Sequence, residues 1–217
     1  TDRSAALDMI AAFFDQSRDS LLSSGRAISQ QVGGAVPDNP IASRRNEAGK
    51  REREASRGEI EVGKGLSPDF TLVIKHNAAF TALLPELSQR FQTWAIVRNP
   101  LAVLASWHSV SLPVSKGRLP AGERLDPALA DALTAEDDLV GRQLVILDWF
   151  FNRFLSHLPP DRVLPYEDIV ASGGTALAEA CGVRMQPVEL RERNASRLYD
   201  PGVASMLARR LLESDGA

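Results

Sequence analysis

Apolar residues recur at helical spacing from the start of the chain. Leu7, Ile10, Phe14 and Leu21, with Phe13 and Leu22 beside them, mark one face of an amphipathic helix over 4–23 that Gly25 stops. From 26 to 66 that pattern dissolves. Gly33-Gly34, Pro37, Pro40 and the mixed-charge run 44–61 carry few large apolar side chains, which predicts a loop, a solvated helix or a disordered excursion. Order returns at Phe70-Thr71-Leu72-Val73-Ile74, a short apolar run bounded by Ser67-Pro68-Asp69 that reads as a buried strand ending in Lys75-His76-Asn77. A helical stretch interrupted by Pro85 covers 78–90, a second strand covers 93–97, and Pro100 opens another helix. Strand, helix, strand, helix in this rhythm predicts an α/β fold with a parallel sheet and right-handed crossovers. In such sheets ligands sit at the carboxyl ends of the strands, where Lys75, His76 and Arg98 would lie.

The second half begins with 111–133, where Pro113, Gly117, Pro120, Gly122 and Pro127 stand among scattered charges. That is long for a connector and predicts a lid or specificity loop on the ligand side. Thr134-x-x-Asp137 is an imperfect capping box for a long helix with a broad apolar face, from Leu139 and Val140 to Phe154 and Leu158, which Pro159-Pro160 ends. Residues 162–168 read as a short strand entering an acidic turn. A small helix over 175–181 follows, closed by Gly182, with Cys181 as a buried structural thiol. A polar loop bearing Arg191, Arg193 and Arg197 leads through Leu198-Tyr199-Asp200-Pro201 into a final helix.

Composition narrows the function classes. At 217 residues the chain is expected to be a single domain, with 26–66 and 111–133 as its irregular parts. A net charge of -3 gives no general attraction for nucleic acid, so any anion affinity is local. The basic cluster Arg44, Arg45, Lys50, Arg51 and Arg53 is interrupted by Glu47, Glu52 and Glu54 and reads as a solvated face. The lone Cys181 excludes an internal disulfide and fits a reducing, cytoplasmic setting. No apolar run reaches the roughly 18 residues of a membrane span, and no Cys/His set has metal-ligand spacing. Gly63-Lys64-Gly65 lacks the spacing of a phosphate loop.

The densest chemical signal is the stretch 94–109. Pro100 presets the helical φ and lacks the amide that a first helical residue leaves unpaired, and Asn99 is suited to the N-cap. An arginine between a strand and a capped helix makes an anion site from a guanidinium, free amides and the positive end of the helix dipole. The alternative for Arg98 is an ion pair with a surface carboxylate. For Ser106 it is a hydroxyl bonded back to its own helix, and for His76 a strand-end ring satisfied by a carbonyl.

With these segments placed, the chain over about 66–213 resembles the nucleotide-dependent sulfotransferases, which move a sulfuryl group from 3′-phosphoadenosine 5′-phosphosulfate to an acceptor hydroxyl or amine. R-N-P-L-A-V-L-A-S is similar to the family segment in which a strand-ending Arg and a Ser eight positions later grip the donor's 3′-phosphate, so the resemblance gives Arg98 and Ser106 that role. I-K-H-N looks like the family's K-T-H segment. That implies His76 as general base, with Lys75 beside the leaving phosphate or the acceptor. V-L-P-Y-E-D-I and L-Y-D-P-G-V-A are weaker similarities.

The resemblance implies a P-loop-NTPase-like three-layer fold, a central parallel sheet flanked by helices. It also implies a bacterial-type cytoplasmic enzyme without metal, and a small-molecule or carbohydrate acceptor. The family's Gly-rich 5′-phosphosulfate loop has no counterpart in this sequence. The family order places that loop ahead of Thr1, so the expectation is either a chain lacking its N-terminal strand and loop, which the opening inside a helical pattern favours, or a degenerate member. The late Arg-Lys-Gly loop is also missing in that form, and Arg193 and Arg197 stand as its replacements. A non-catalytic nucleotide-binding or interaction module is the alternative from another class. A P-loop kinase relative is disfavoured by the lack of a Walker lysine and a magnesium-binding acidic pair.

Overall fold

Asp2 caps the first helix, α1 (Arg3–Ser24), its side chain accepting from the Ser4 N–H at 2.9 Å. Gly25 ends α1 at φ 68°, a left-handed position open to glycine at no steric cost. In this computed structural model, which describes residues 2–214, helices take up about half of the chain and strands form small two-stranded sheets, so the protein is mixed α/β. It divides into two compact units where one domain was expected. One runs to His76 and takes in Val110–Leu112; the other holds Asn77–Ser109 and the chain from Pro113 onward.

The first unit corrects the sequence reading over 26–66. That segment is largely antiparallel strand: β1 (Arg26–Gln31) pairs with β4 (Ser56–Glu61), and β2 (Ile41–Arg45) with β3 (Arg51–Arg53). Gly33 and Gly34, both at positive φ, turn the chain between Val32 and Ala35, which exchange backbone hydrogen bonds at 2.9 and 3.2 Å. Conversely, the strand expected over 70–74 does not form. The run carries no ladder and Val73 is 69% exposed. Arg18 of α1 holds its start, donating to the Phe70 carbonyl at 2.9 Å and stacking over the Phe70 ring.

The second unit is mainly helical. Pro85 splits 78–90 into α2 (Asn77–Ala82) and α3 (Leu84–Arg90). Then β5 (Ala95–Val97) leads into α4 (Pro100–His108). The stretch 111–133, expected to be an irregular lid, holds α5 (Pro120–Leu125) and most of α6 (Pro127–Ala135), each with proline in its first turn. Glu123 reaches back to accept the Leu119 N–H at 2.5 Å. These short helices bury Leu119, Leu129 and Leu133 with Ala78 and Ile146. Ile146 belongs to the long helix α7 (Leu139–His157), which Asp138 caps through the Gly141 N–H at 2.8 Å, one residue beyond the expected box. Burying a side chain of that size contributes about 1.5–3 kcal/mol.

β6 (Val163–Pro165) pairs parallel with β5, Ala95 opposite Val163 and Val97 opposite Pro165, and α8 (Tyr166–Ala171) follows at once. After α9 (Thr175–Ala180) an irregular segment reaches α10 (Pro201–Leu212), whose Leu207 packs with Leu104 and Ala105 of α4 and Leu147 of α7. Cys181 is half-buried beyond α9 rather than fully enclosed, and desolvation pushes its thiol up.

One polar corner is built into this helical core. Asp126 accepts from the Trp149 indole N–H at 2.7 Å and pairs with Arg153 of α7, which also donates to the Ala82 carbonyl at 3.4 Å. Burial alone would raise the Asp126 carboxyl. The hydrogen bonds from Trp149 and Arg153 and the Arg153 charge outweigh it and hold the carboxyl below its ordinary value. Among the described residues no helix is long and apolar enough to cross a membrane.

Candidate anion site at the end of the parallel strand pair

The turn after β5 is built as its sequence requires. Asn99 stands at the N-cap of α4, its side chain accepting from the Ala102 N–H at 3.2 Å, and Pro100 occupies the first turn. Arg98, half-buried, leaves the carboxyl end of β5 next to Tyr166 and Glu167, which leave the carboxyl end of β6. Its guanidinium lies 5.0 Å from the Tyr166 ring centroid, within cation–π range. The parallel register thus brings the R-N-P and Y-E-D segments side by side.

A third segment completes the site. Arg98 Nε donates to Asn194 Oδ1 at 2.7 Å, and Nη2 donates to the Arg193 carbonyl at 2.5 Å and the Tyr199 hydroxyl at 3.2 Å. Asn194 Nδ2 donates to Glu167 Oε1 at 2.6 Å, and the same oxygen accepts the Asn99 N–H at 3.2 Å. Among the described residues, every oxygen that accepts a hydrogen bond from Arg98 is therefore neutral. The nearby Glu167 carboxylate bonds to amides instead. Burial alone would raise that carboxyl, but hydrogen bonds from Asn194, its own backbone and Asn99, with the Arg98 charge, hold it below the ordinary value.

Ser106 lies seven residues beyond Asn99, two turns along the same face of α4 and roughly 10 Å up its axis. Its carbonyl accepts from the Ser109 N–H at 3.1 Å and the Ser109 hydroxyl at 2.7 Å. No hydrogen bond joins Ser106 to Arg98 among the described residues. Arg193 reaches Arg98 through its backbone while its own side chain is exposed, as is that of Arg197. Lys75 and His76 are exposed at the end of the first unit's main segment, and the strand expected to aim them does not form.

Sequence reasoning did not name Asn194, Glu167, Tyr166 or Tyr199 as the surroundings of Arg98. They lie 68 to 101 positions from it, beyond any local spacing. The available signal was indirect: the Y-E-D and L-Y-D segments had been marked as weak similarities. Among the described residues, no group of three His, Cys, Asp or Glu side chains is arranged to hold a metal ion. Comparison with protein-family models, with curated proteins and with solved structures finds no match.

Proposed function

We propose that the corner at Arg98 is a phosphate site, and that the chain is a sulfotransferase of the nucleotide-dependent kind that takes the 3′-phosphate of 3′-phosphoadenosine 5′-phosphosulfate there. One observation carries the reading. A half-buried arginine, at the carboxyl end of a parallel strand and the start of a capped helix, is held in position by neutral oxygens, with no carboxylate in hydrogen-bonding contact among the described residues. The R-N-P, Y-E-D and L-Y-D segments, similar to that family for separate reasons, meet at this guanidinium.

In this reading Arg98 and Ser106 hold the 3′-phosphate, and Arg193 and Arg197, carried on the segment that reaches Arg98, add positive charge. His76 removes the acceptor proton, and Lys75 steadies the charge that develops on the leaving phosphate. The acceptor is a small-molecule or carbohydrate hydroxyl or amine, the setting is cytoplasmic, and the helices of 111–133 border the acceptor. The reading carries with it a three-layer P-loop-like scaffold, of which the β5–β6 pair, followed by α4 and α8, is a part.

The test is turnover with 3′-phosphoadenosine 5′-phosphosulfate over a panel of phenol, sugar and amine acceptors. The reading predicts sulfated product, inhibition by 3′-phosphoadenosine 5′-phosphate well below the concentration of ADP needed, and loss of turnover in His76→Ala. Equal inhibition by both nucleotides sinks the 3′-phosphate assignment. Nucleotide binding without any product would favour the non-catalytic module.

A further inference from the structure

One edge of the Arg98 guanidinium and the Asn99 N–H, atoms that would grip a phosphate, are already engaged by the chain itself. Asn194 Oδ1, the Arg193 carbonyl and the Tyr199 hydroxyl occupy the Nε and Nη2 side of the Arg98 fork, and Glu167 takes the Asn99 N–H at the entrance to α4. Asn194 links the two halves, its oxygen accepting from Arg98 and its amide N–H donating to Glu167. The segment that supplies Asn194 has no regular structure from 183 to 193 and is exposed from Arg184 to Arg193. Its other tether near the site is the Tyr166 hydroxyl, which donates to the Arg191 carbonyl at a long 3.4 Å.

We propose that residues 191–199 are a latch that closes the anion site in the absence of ligand, with Asn194 as its bolt. The proposal rests on the reading above for the identity of the physiological ligand, but its mechanism needs only a phosphate. An entering phosphate brings charged oxygens to the fork, and charge-assisted bonds to Arg98 are stronger than those from an amide or carbonyl oxygen. Exchange of partners therefore favours the ligand, but the latch lowers the observed affinity because only the open fraction of molecules binds. Asn194 is thus a competitor of the ligand and not one of its contacts. The two roles predict opposite signs for one substitution.

The experiment titrates inorganic pyrophosphate and, separately, 3′-phosphoadenosine 5′-phosphate into the full chain by calorimetry, with melting curves checking that each variant is folded. Asn194→Ala should tighten pyrophosphate about fivefold, the scale of one lost competing hydrogen bond. Tyr199→Phe keeps the ring, loses only the hydroxyl and should tighten it less; this second variant carries the test should Asn194→Ala fail to fold. Unchanged or weaker pyrophosphate binding in these variants overturns the latch. Failure of the nucleotide reading looks different: 3′-phosphoadenosine 5′-phosphate would bind no better than pyrophosphate while both variants still tightened. Absence of pyrophosphate binding in wild type and variants alike overturns both.

Discussion

Two arginines in the helical unit have similar surroundings and opposite electrostatics. Arg153 and Arg98 are each half-buried, each lies near an aromatic ring, and each donates to a backbone carbonyl. Arg153 also closes on Asp126, whose carboxylate is buried and further held by Trp149. Its charge is matched inside the protein, and it ties α7 to the start of α6. Arg98 is positioned as carefully, but by an amide oxygen, a carbonyl and a hydroxyl. A fork aligned without a carboxylate partner serves an anion from outside better than it serves the fold. The difference separates a structural arginine from a binding arginine at the level of individual acceptors.

Substitutions should divide along that line. The largest effect on stability is expected from Asp126→Ala, which leaves Arg153 inside the unit without its carboxylate; a urea titration should show a loss of about 3 kcal/mol. Arg98→Ala should cost only about 1 kcal/mol, since neutral acceptors next to solvent rehydrate readily. Equal losses at the two sites would remove the distinction.

Acid should find the same corner. The folded Asp126 carboxyl sits below its ordinary value, so its contribution is fully present above the ordinary carboxylate range and disappears as pH falls through the lowered value. Asp126→Asn should flatten the acid limb of a stability–pH curve. Asp148 on α7 has the opposite sign: desolvation raises its carboxyl, so its ionised form costs stability at neutral pH and the cost vanishes on acidification. Asp148→Asn should stabilise slightly at neutral pH and lose that gain in acid. Smallest of all, Ser106→Ala should weaken nucleotide binding only about threefold to tenfold by calorimetry, the scale of one hydrogen bond, with no change in melting.

How much of this was legible in the sequence depended on whether the determinants were local. Helix α1 with its glycine stop, the Asn99-Pro100 start of α4, the broad apolar face of α7 and the Asp200 cap of α10 all follow from spacing within a few residues. The hairpins of 26–61 were missed because their strands carry few large apolar residues and little alternation. Arg26, opposite Glu61 in the ladder, reaches diagonally to Glu59 in a 2.9 Å ion pair. The Gly33-Gly34 dipeptide was the available turn signal. Phe70 to Ile74 failed in the opposite way, having the composition of a strand but pairing with no strand among the described residues. In 111–133, expected to be an irregular lid, Pro120 and Pro127 each begin a helix. At the site, Arg98 and its cap were legible, whereas Asn194 and Tyr199 reach Arg98 only through the return of the chain after α9.

The most direct test is calorimetric titration of 3′-phosphoadenosine 5′-phosphate into wild-type protein and Arg98→Ala at low and high salt. A binding arginine predicts saturable wild-type binding that weakens as salt rises, and at least a tenfold loss in Arg98→Ala with the melting curve nearly unchanged. Equal binding by the two proteins, or a variant that loses binding only because it unfolds, would contradict the assignment of Arg98 to an external anion.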